Sequence, residues 1–271
     1  MRKQEEKFIE TVWSYYKEHG RHVLPWRTTH TPYTILVSEM MLQQTQVQRV
    51  IPKYKTFMQE FPTVQKLAKA SLGEVLTLWQ GLGYNRRAKM LHLCGQKIVA
   101  DYNGIFPHTE SELLELPGIG PYTARAILAF AFNVPTSLIE TNVRSVYIHH
   151  FFKEQEAVTD RDIMKIIERT RSVDQSREWY YALMDYGSYL KKEFGNPNKK
   201  SAHHSLQSKF EGSNRQMRGA IIRTLTDTAC TREVLLLALK KYEDIVVDAQ
   251  VEKLLQEGMI ECRNGTYSLP A

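Results

Sequence analysis

The sequence contains only three cysteines, Cys94, Cys230 and Cys262, and no two of them stand close together in the chain. A zinc site of four thiolates and a four-cysteine iron–sulfur cluster each need more cysteines than this, and no disulfide framework is indicated. We therefore expect neither kind of metal centre.

Long hydrophobic runs are also missing, since no apolar stretch approaches the roughly 18 to 20 residues that a bilayer span needs. The first residues, MRKQEEKFIE, lack the apolar stretch of a secretion signal. We expect a soluble, intracellular protein with no membrane partner.

Glycine and proline are sparse, with 14 and 10 among 271 residues, while 42% of the residues are hydrophobic and 24% are charged. This composition excludes intrinsic disorder and collagen-like or low-complexity repeats. The length favours two domains. The 36 basic residues exceed the 30 acidic ones, and the net charge of +6 permits a polyanionic partner without identifying one.

Helical periodicity dominates the first part of the chain, and the alternation typical of strands is scarce there. We predict an all-α core over residues 1–195. Thr109 and Glu112 are spaced as in a capping box, which predicts a helix that ends before Pro117. The other helices predicted from apolar spacing and from glycine and proline positions are 4–19, 34–49, 52–60, 71–78 and 86–102.

The end of the chain has a different pattern. A polar stretch over 196–216 predicts a linker, and residues 217–271 predict three short helices followed by two strands. That order is typical of a winged helix-turn-helix domain, and a small helical cap that binds nothing is the alternative. The predicted helices are 217–226, 231–239 and 247–258, and the predicted strands are 259–262 and 265–269.

Between two helical patterns lies the segment LPGIGPYT, residues 116–123. Its two glycines, Gly118 and Gly120, let the backbone turn sharply and approach a ligand closely. The next helix presents backbone N–H groups at its start, and this arrangement binds phosphate. The same pattern also occurs in an ordinary tight corner between two helices.

This hairpin resembles that of the helix-hairpin-helix DNA glycosylases. Three further segments, LPWR (24–27), SEMMLQQTQV (38–47) and WQGLGY (79–84), resemble the adenine DNA glycosylases of the MutY family in order and spacing over roughly residues 5–190. The resemblance implies a two-lobed all-α fold with the hairpin near 112–132. It also implies a monomeric, cytoplasmic and nucleoid-associated enzyme of bacteria or archaea that removes adenine opposite 8-oxoguanine or guanine in double-stranded DNA.

One carboxyl group has a chemical reason to be catalytic. On a helix, Glu39 shares a face with Ile35, Leu36 and Leu42, which must pack inward. Burial disfavours the ionised form, so this group is expected to keep its proton near neutral pH and to protonate a departing base as a general acid. A carboxylate that reaches solvent or pairs with an arginine is the alternative.

A second carboxylate is expected to stabilise the oxocarbenium-like sugar, as in glycoside hydrolysis. The resemblance implies an aspartate before a helix in this role, and Glu140 stands at that position here. Glutamate is one methylene longer and a poorer N-cap, so its carboxylate must reach the sugar by a different path. Either Glu140 still works, or the enzyme is slow or acts on another base, or the protein is an inert DNA-binding relic.

The resemblance implies roles for further side chains. Tyr122, which we place with the catalytic residues, stands where bifunctional relatives resembling endonuclease III carry a lysine. A tyrosine cannot form a Schiff base, so no lyase step is expected. Arg27 and Leu42 are expected to line the base pocket. The residues expected to contact DNA are Gln43, Gln44, Tyr84, Gly118, Gly120, Thr123, Asn142, Arg144 and Lys191.

The chain departs from the family in two places. The four cluster cysteines of most members would fall at Lys191, Asn198, Ser201 and Gln207, none of which can hold iron. We therefore expect no iron–sulfur cluster and no other cofactor, apart from a monovalent cation that the resemblance implies at the hairpin. The lysines of this segment offer charge to phosphates or form a solvated basic loop. A Nudix-like domain, which checks for 8-oxoguanine in many members, is not expected either.

Two alternatives to the adenine glycosylase stay open. A tyrosine at the position of Tyr122 also occurs in mismatch thymine glycosylases of the same superfamily, so a thymine or uracil glycosylase acting opposite guanine is the nearest rival. A DNA-binding protein without catalysis on the same scaffold predicts duplex affinity with no release of any base. Activity on duplexes that carry single mismatches separates the three.

Overall fold

The structure of the chain is a computed structural model that describes residues 3–204 and 209–271. Within these residues it contains fourteen α-helices and one small sheet, which confirms the predicted all-α class. The helices of the first 204 residues are α1 (Lys3–His19), α2 (Pro32–Leu42), α3 (Val47–Glu60), α4 (Val64–Lys69), α5 (Leu72–Trp79), α6 (Arg86–Tyr102), α7 (Glu110–Leu114), α8 (Pro121–Phe132), α9 (Thr141–Phe151), α10 (Asp160–Thr170) and α11 (Ser176–Glu193). The later elements are α12 (Asn214–Asp227), β1 (Cys230–Thr231), α13 (Arg232–Ala238), α14 (Asp244–Gln256), β2 (Glu261–Arg263) and β3 (Thr266–Ser268). None of these helices has the length and hydropathy to cross a membrane.

The described residues divide into two compact units. The first unit contains the chain up to Ile35, His108–Glu115 and the chain from Ile119 to residue 204. The second unit contains Leu36–Pro107, Leu116–Gly118 and the chain from residue 209 onward. The predicted boundaries at 195 and 216 follow the order of the chain, whereas the units group segments that pack together. The C-terminal segment therefore belongs with the helices of residues 36–107.

Aromatic side chains from three helices form the core of the first unit. Phe8 of α1 packs against Tyr147 of α9 and Trp179 of α11, with ring centroids 5.1 and 5.9 Å apart. Helix α11 approaches α9 closely at Gly187, where a Cβ atom would lie 2.3 Å from the carbonyl oxygen of Asn142. This packing fixes the position of α9 in the first unit.

The core of the second unit is formed by α3 to α6. Phe57 of α3 meets Trp79 of α5 edge to face, with ring centroids 6.3 Å apart. Leu67 of α4 lies against Gly95 of α6, where a Cβ atom would be 3.2 Å from a Leu67 methyl group. The part of α2 from Leu36 onward also belongs to this unit.

The C-terminal segment carries α12 to α14 and the sheet. Strand β3 lies between β1 and β2 and runs antiparallel to both, so that Tyr267 faces Cys230 on one side and Cys262 on the other. The last residues return to α5, where the N–H group of Gly73 donates to the carbonyl oxygen of Pro270 at 2.9 Å. A Cβ atom at Gly73 would lie 2.6 Å from that oxygen, so the close approach requires glycine.

Two sequence predictions on local structure have different outcomes. The three helices and the two-stranded ribbon of 217–271 are present, and β1 adds a third strand. The single helix predicted over 34–49 is wrong, because the chain leaves the helical conformation after Leu42 and Gln44 adopts a φ of 53°. Pro52 accordingly lies inside α3 and does not start it. The break places Gln43 and Gln44 in a loop directly after the helix of Glu39.

Candidate active site

Glu39 lies in the second half of α2, where every residue from Tyr33 to Met41 is buried. Its own exposure is 7%, and Ile35 and Leu36 are almost completely inaccessible. A carboxyl group held this deep loses the hydration of its charged form, which is the property that a general acid needs. The structure thus buries Glu39, and its role as a general acid stays a prediction.

Arg87 of α6 fixes the C-terminal end of α2. Its guanidinium donates to the carbonyl oxygens of Met40 and Met41 at 2.6 and 3.0 Å. Carbonyl groups in the last turn of a helix have no N–H partner within the helix, and Arg87 supplies one here. It also donates to the carbonyl oxygen of Gly83 at 3.0 Å. Burial lowers the pKa of Arg87 to about 10, which leaves it charged at neutral pH. Arg87 therefore joins the end of α2 to the turn that carries Tyr84.

A cavity of about 470 Å³ lies beside this junction in the second unit. Its wall includes four of the residues predicted to contact DNA, namely Gln43, Gln44, Tyr84 and Gly118. Gln44 and Tyr84 have φ angles of 53° and 49°, a left-handed conformation that residues other than glycine rarely adopt. Their surroundings must hold both turns in shape. The structure therefore brings these four residues together in one place.

The two glycines of the hairpin between α7 and α8 differ in conformation and surroundings. Gly118 has a φ of 77°, and a Cβ atom there would lie 2.6 Å from the Cβ atom of Met90, so both its conformation and its space require glycine. Gly120 is the N-cap of α8 with a φ of −99°, and no atom lies within 4 Å of the place of its Cβ. The predicted contact of Gly120 with a phosphate at the start of α8 stays a prediction.

Glu140 is the N-cap of α9. One carboxylate oxygen, Oε1, accepts from the backbone N–H groups of Asn142 and Val143 at 2.7 and 2.8 Å. The other oxygen, Oε2, accepts from the side-chain amide of Asn142 at 3.3 Å. Glutamate is not a preferred N-cap, yet here its longer side chain folds back and makes the cap. The helix dipole stabilises the carboxylate at this end of α9.

Lys191 of α11 is a cation whose charge interacts with Glu140. The pKa of the half-buried ammonium group lies below its ordinary value. Burial is the largest cause and lowers it, the charge of Glu140 raises it, and the charge of Arg21 lowers it further. The predicted DNA contact is therefore also part of the electrostatic surroundings of the candidate catalytic carboxylate.

Asn198 holds the segment after α11 against α9. It lies in a short 3₁₀ turn, Pro197–Lys200, and is 3% exposed. Its side-chain amide donates to the carbonyl oxygen of Thr141 at 2.8 Å and to the hydroxyl group of Ser145. Ser201 pairs with Val158 in a parallel bridge. Side chain and backbone together hold this segment in place.

The residues at the predicted cluster positions do not fit an iron–sulfur cluster. Lys191 offers an ammonium group, Asn198 an amide that is already hydrogen-bonded, and Ser201 a hydroxyl group, whereas such clusters are held by thiolates. Gln207 lies outside the described residues. The described part of the chain also contains no group of three or more His, Cys, Asp or Glu side chains placed to hold a metal ion. The monovalent cation at the hairpin stays a prediction.

Arg27, expected in the base pocket, is held in a buried ion pair of the first unit. Its guanidinium binds both oxygens of Asp185, with distances of 2.7 and 2.9 Å, and its Cζ atom lies 4.2 Å from the ring centroid of Tyr181. Burial alone would raise the pKa of Asp185, but hydrogen bonds and charge from Arg27 and then Arg21 outweigh it and hold that pKa below its ordinary value. The place of Arg27 in the base pocket stays a prediction.

Four other candidates can be placed in the structure. Arg144, a predicted DNA contact, binds both oxygens of Asp160 at 2.7 and 2.8 Å. Thr123 is 4% exposed, so its side chain has little surface to offer a ligand. Tyr122 and Leu42 are half-buried.

The candidate residues are divided between the two units. Glu39 and the cavity belong to the second unit, and Tyr122 and Glu140 belong to the first.

The family model for the HhH-GPD superfamily base excision DNA repair protein matches residues 37–178, which is more than half of the chain. The chain belongs to this superfamily. The matched stretch contains Glu39, the hairpin and Glu140, and the predicted resemblance is confirmed.

Curated relatives of this HhH-GPD protein include adenine DNA glycosylases. The chain is 36% identical over 184 residues to the adenine DNA glycosylase of Buchnera aphidicola subsp. Baizongia pistaciae, which covers 68% of this chain and 52% of the relative. It is 33% identical over 277 residues to the adenine DNA glycosylase of Mycolicibacterium smegmatis. That alignment covers 93% of this chain and 92% of the relative. The chain thus spans about half the length of the Buchnera protein. Among solved structures, a thermostable thymine-DNA glycosylase is similar with a TM-score of 0.62 and 25% identity, over 69% of this chain and 87% of that one.

Sequence reasoning misses three residues that position the site of this HhH-GPD protein. Arg87 meets the carbonyl oxygen of Met40 across 47 positions of sequence, and Asn198 meets Thr141 across 57. Asp185 meets Arg27 across 158 positions. No local sequence pattern predicts such contacts, although Asp185 lies in the run MDYG that resembles the family.

Proposed function

We propose that this HhH-GPD protein is a DNA glycosylase that hydrolyses the N-glycosidic bond of adenine mispaired with 8-oxoguanine or guanine in double-stranded DNA. The observation that carries the proposal is the burial of Glu39, which is 7% exposed in the run EMMLQQTQ that resembles the adenine enzymes. Two relatives with about a third of identical residues bear the name adenine DNA glycosylase, which supports the same reaction. The protein acts as a monomer on DNA in the cytoplasm, at the nucleoid, and needs no iron–sulfur cluster.

Glu39 supplies the proton in the proposed reaction. When the bond between the sugar and the base breaks, its electron pair leaves with the purine, and a proton delivered to a ring nitrogen makes the purine a better leaving group. The carboxyl group of Glu39 gives this proton and becomes a carboxylate. The water that adds to the sugar carbon releases a proton, which restores the acid.

Glu140 stabilises the positive charge that develops on the sugar. A carboxylate fixed in advance needs no reorganisation when that charge appears, which is the main advantage of such a group. The two backbone hydrogen bonds at 2.7 and 2.8 Å hold Glu140 in this way at the start of α9. Its role in place of an aspartate therefore rests on an ordered side chain.

Tyr122 limits the reaction to base removal. Its phenol has no amine that could attack the sugar carbon and form a Schiff base, so the product is an intact strand with an abasic site. The proposed contacts with DNA are the cavity residues Gln43, Gln44 and Tyr84, the hairpin at Gly118 and Gly120, and Thr123, Asn142, Arg144 and Lys191.

The experiment uses duplexes that carry A opposite 8-oxoguanine, A opposite G, T opposite G and U opposite G. Each reaction is divided, and one half is treated with hot alkali to cleave abasic sites. We expect alkali-dependent cleavage at adenine, abolished by Glu39→Gln and reduced at least a hundredfold in single-turnover rate by Glu140→Gln. Glu140→Asp should keep most of the rate, because aspartate also caps a helix and carries the charge.

The control variant is Glu18→Gln, which removes an exposed carboxylate of α1 and should leave the rate unchanged. Cleavage at T or U in place of A would identify a mismatch pyrimidine glycosylase. Tight binding to every duplex with no base release would identify a DNA-binding protein without catalysis. Cleavage without alkali would contradict the role given to Tyr122.

A further inference from the structure

Side chains of the first unit form an aromatic row that the proposed reaction does not use. The row passes from Tyr15 of α1 to Tyr189 of α11, then to Phe194 just after α11 and to His149 of α9. Neighbouring ring centroids are 5.0, 6.2 and 5.5 Å apart in that order. His19 extends the row beyond Tyr15 at 5.2 Å. Three helices that are far apart in the sequence therefore place their rings side by side.

The middle rings of the aromatic row face solvent. Phe194 is 65% exposed and Tyr189 is 37% exposed. Tyr186 is buried, packs against Tyr189 with ring centroids 6.1 Å apart, and is hydrogen-bonded through its hydroxyl group to His150. Tyr15 packs against both Tyr186 and Tyr189. The exposed rings therefore rest on buried ones, which holds this surface in one arrangement.

The end of the aromatic row at His149 carries a slight excess of positive charge, whereas at the other end Glu18 lies 3.8 Å from His19. The ammonium group of Lys200 donates to the carbonyl oxygen of Lys153, which follows α9, and so brings the 3₁₀ turn to the His149 end. Four lysines lie in these segments beside three carboxylates, two of which are paired with lysines. The lysines are Lys153, Lys192, Lys199 and Lys200, and the carboxylates are Glu154, Glu156 and Glu193. A phosphate chain therefore meets no net repulsion here.

The composition of this surface favours nucleobases over an apolar peptide. Grooves that bind an apolar helix hold aliphatic anchors at helical spacing, whereas α1, α9 and α11 expose no large aliphatic side chain within their described residues. Every nucleobase has a π face, and its stacking on an aromatic ring needs no particular hydrogen bond. A row of rings with lysines at one end is the combination that binds single strands of nucleic acid.

The aromatic row shares helix α9 with the candidate catalytic carboxylate. Glu140 is the N-cap of α9, and His149 lies nine positions further, which corresponds to about 14 Å along the helix axis. DNA that is bound at Glu140 therefore continues within reach of the row. Bases inside a duplex are stacked on one another and cannot meet these rings, so the occupant must be unpaired.

We propose that the aromatic row is a second nucleic-acid site, on which bases of single-stranded DNA stack beside the excision site, with Phe194 as the main stacking ring. The proposal rests on the proposed function for the presence of DNA at Glu140. It adds a ligand, unpaired DNA, that base removal from a duplex does not require. An apolar protein segment on the same surface is an outcome that the test distinguishes.

The test measures the affinity of the full chain for two fluorescent oligomers by anisotropy at one fixed salt concentration. One oligomer is a short oligothymidylate, and the other consists of tetrahydrofuran abasic units with the same number of phosphates. The variants are Phe194→Ala, Phe194→Leu and Phe194→Trp. The matched control is Phe210→Ala, which removes another exposed phenylalanine, 59% accessible, from the second unit.

Phe194→Ala should lose roughly 5- to 150-fold in affinity for the oligothymidylate, the range found when one stacking ring is removed. Its affinity for the abasic oligomer should stay unchanged, because the phosphates and lysines are the same. Phe194→Trp should bind as the unmodified protein does, since tryptophan also stacks, and Phe194→Leu should bind as the alanine variant does. Phe210→Ala should change neither affinity.

Three results would overturn the proposal. Equal losses on both oligomers would assign the effect to charge or to folding, and full affinity in Phe194→Leu would assign the surface to apolar contacts of a protein partner. No loss in Phe194→Ala would remove the site altogether. If Phe194→Ala lowers the unfolding midpoint, the comparison of leucine with tryptophan still decides, because both keep a large apolar side chain at this position.

The two proposals fail separately. Release of adenine from a short duplex tests the proposed function, and Phe194→Ala should leave its rate unchanged because this ring lies toward the opposite end of α9 from Glu140. The affinity for single strands tests the aromatic row and needs no catalysis.

Discussion

The side-chain amide of Asn198 donates to the carbonyl oxygen of Thr141 across 2.8 Å and so ties the segment after α11 to the first turn of α9. Thr141 directly follows Glu140, the N-cap of that helix. The hydrogen bond therefore acts next to the carboxylate proposed to face the sugar, at one of the positions where the resemblance predicts a cluster cysteine in other members.

Replacing Asn198 by alanine should lower the free energy of unfolding by about 0.5–1.5 kcal/mol, because its hydrogen bonds to the carbonyl oxygen of Thr141 and the hydroxyl group of Ser145 are lost. Urea unfolding followed by circular dichroism measures this loss. Lys199→Ala, one position further and exposed, is the matched control and should change stability by less than about 0.5 kcal/mol. Equal stability of both variants would contradict the anchoring role of Asn198.

Treatment with a strong chelator should leave both the unfolding midpoint and the rate of base release unchanged. The reason is the chemistry at Lys191, Asn198 and Ser201, whose ammonium, amide and hydroxyl groups are not ligands for iron–sulfur clusters. Dialysis followed by thermal unfolding and a single-turnover assay makes the comparison. Stoichiometric iron in the purified protein, lost together with stability on dialysis, would be the opposite result.

Asp185→Asn should cost about 3–5 kcal/mol of stability at neutral pH, because it leaves the buried guanidinium of Arg27 without its counter-charge. The pKa of Asp185 is lowered in the folded state, so its contribution is complete above the unfolded value near 4 and is lost as the pH falls through the folded pKa. Urea unfolding between pH 3 and 7 should therefore show a difference that shrinks at the acid end. Asp248→Asn, in a more exposed pair with Arg232, should cost no more than about 1 kcal/mol.

His150 should make the protein less stable as the pH falls from 6.5 to 4. Burial, followed by the charges of His149 and Lys153, lowers the pKa of this histidine to about 4. The unfolded chain then binds more protons than the folded one in that window, so stability rises with pH there. His150→Gln should flatten this part of the profile by about 1–2 kcal/mol after allowance for partial exposure. The exposed His19→Gln is the control, and an unchanged slope in His150→Gln would refute the assignment.

Gly118→Ala and Gly120→Ala should differ in their effect on stability. Alanine at Gly118 meets the Cβ position of Met90 at 2.6 Å and must adopt a positive φ, so we expect a loss of about 1–3 kcal/mol or more. Alanine at Gly120 has open space and an ordinary φ, so stability should fall by less than about 1 kcal/mol. If a phosphate approaches the backbone there, Gly120→Ala should mainly weaken DNA binding. Thermal unfolding and anisotropy titration of both variants separate the two effects.

The sequence predicts the elements whose signals are local. The Thr109 cap and the order of the C-terminal helices and strands depend on neighbours within a few residues, and the structure contains them. The burial of Glu39 follows in part from its own helix, because apolar residues three and four positions away share its face. The burial of every residue from Tyr33 to Met41 is more than one apolar face predicts. These are the cases in which short-range spacing determines the outcome.

The rest depends on contacts between distant parts of the chain. The break after Leu42 has no glycine or proline, and Arg87, 45 positions after Leu42, holds the backbone there. The place of Arg215 beside Tyr84 involves a separation of 131 residues. Spacing within one helix carries no information on such pairs, so the cavity could not be predicted from the sequence pattern.

The hydrogen bond between Gly73 and Pro270 joins two residues that lie far apart in the chain. Hydrogen bonds hold the C-terminal segment at two places: near its beginning, between Arg215 and Tyr84, and near its last residue, between Pro270 and Gly73 of α5. A segment held at both ends has fewer locally unfolded states than a tail held at one end, so it resists fraying and proteolytic cleavage.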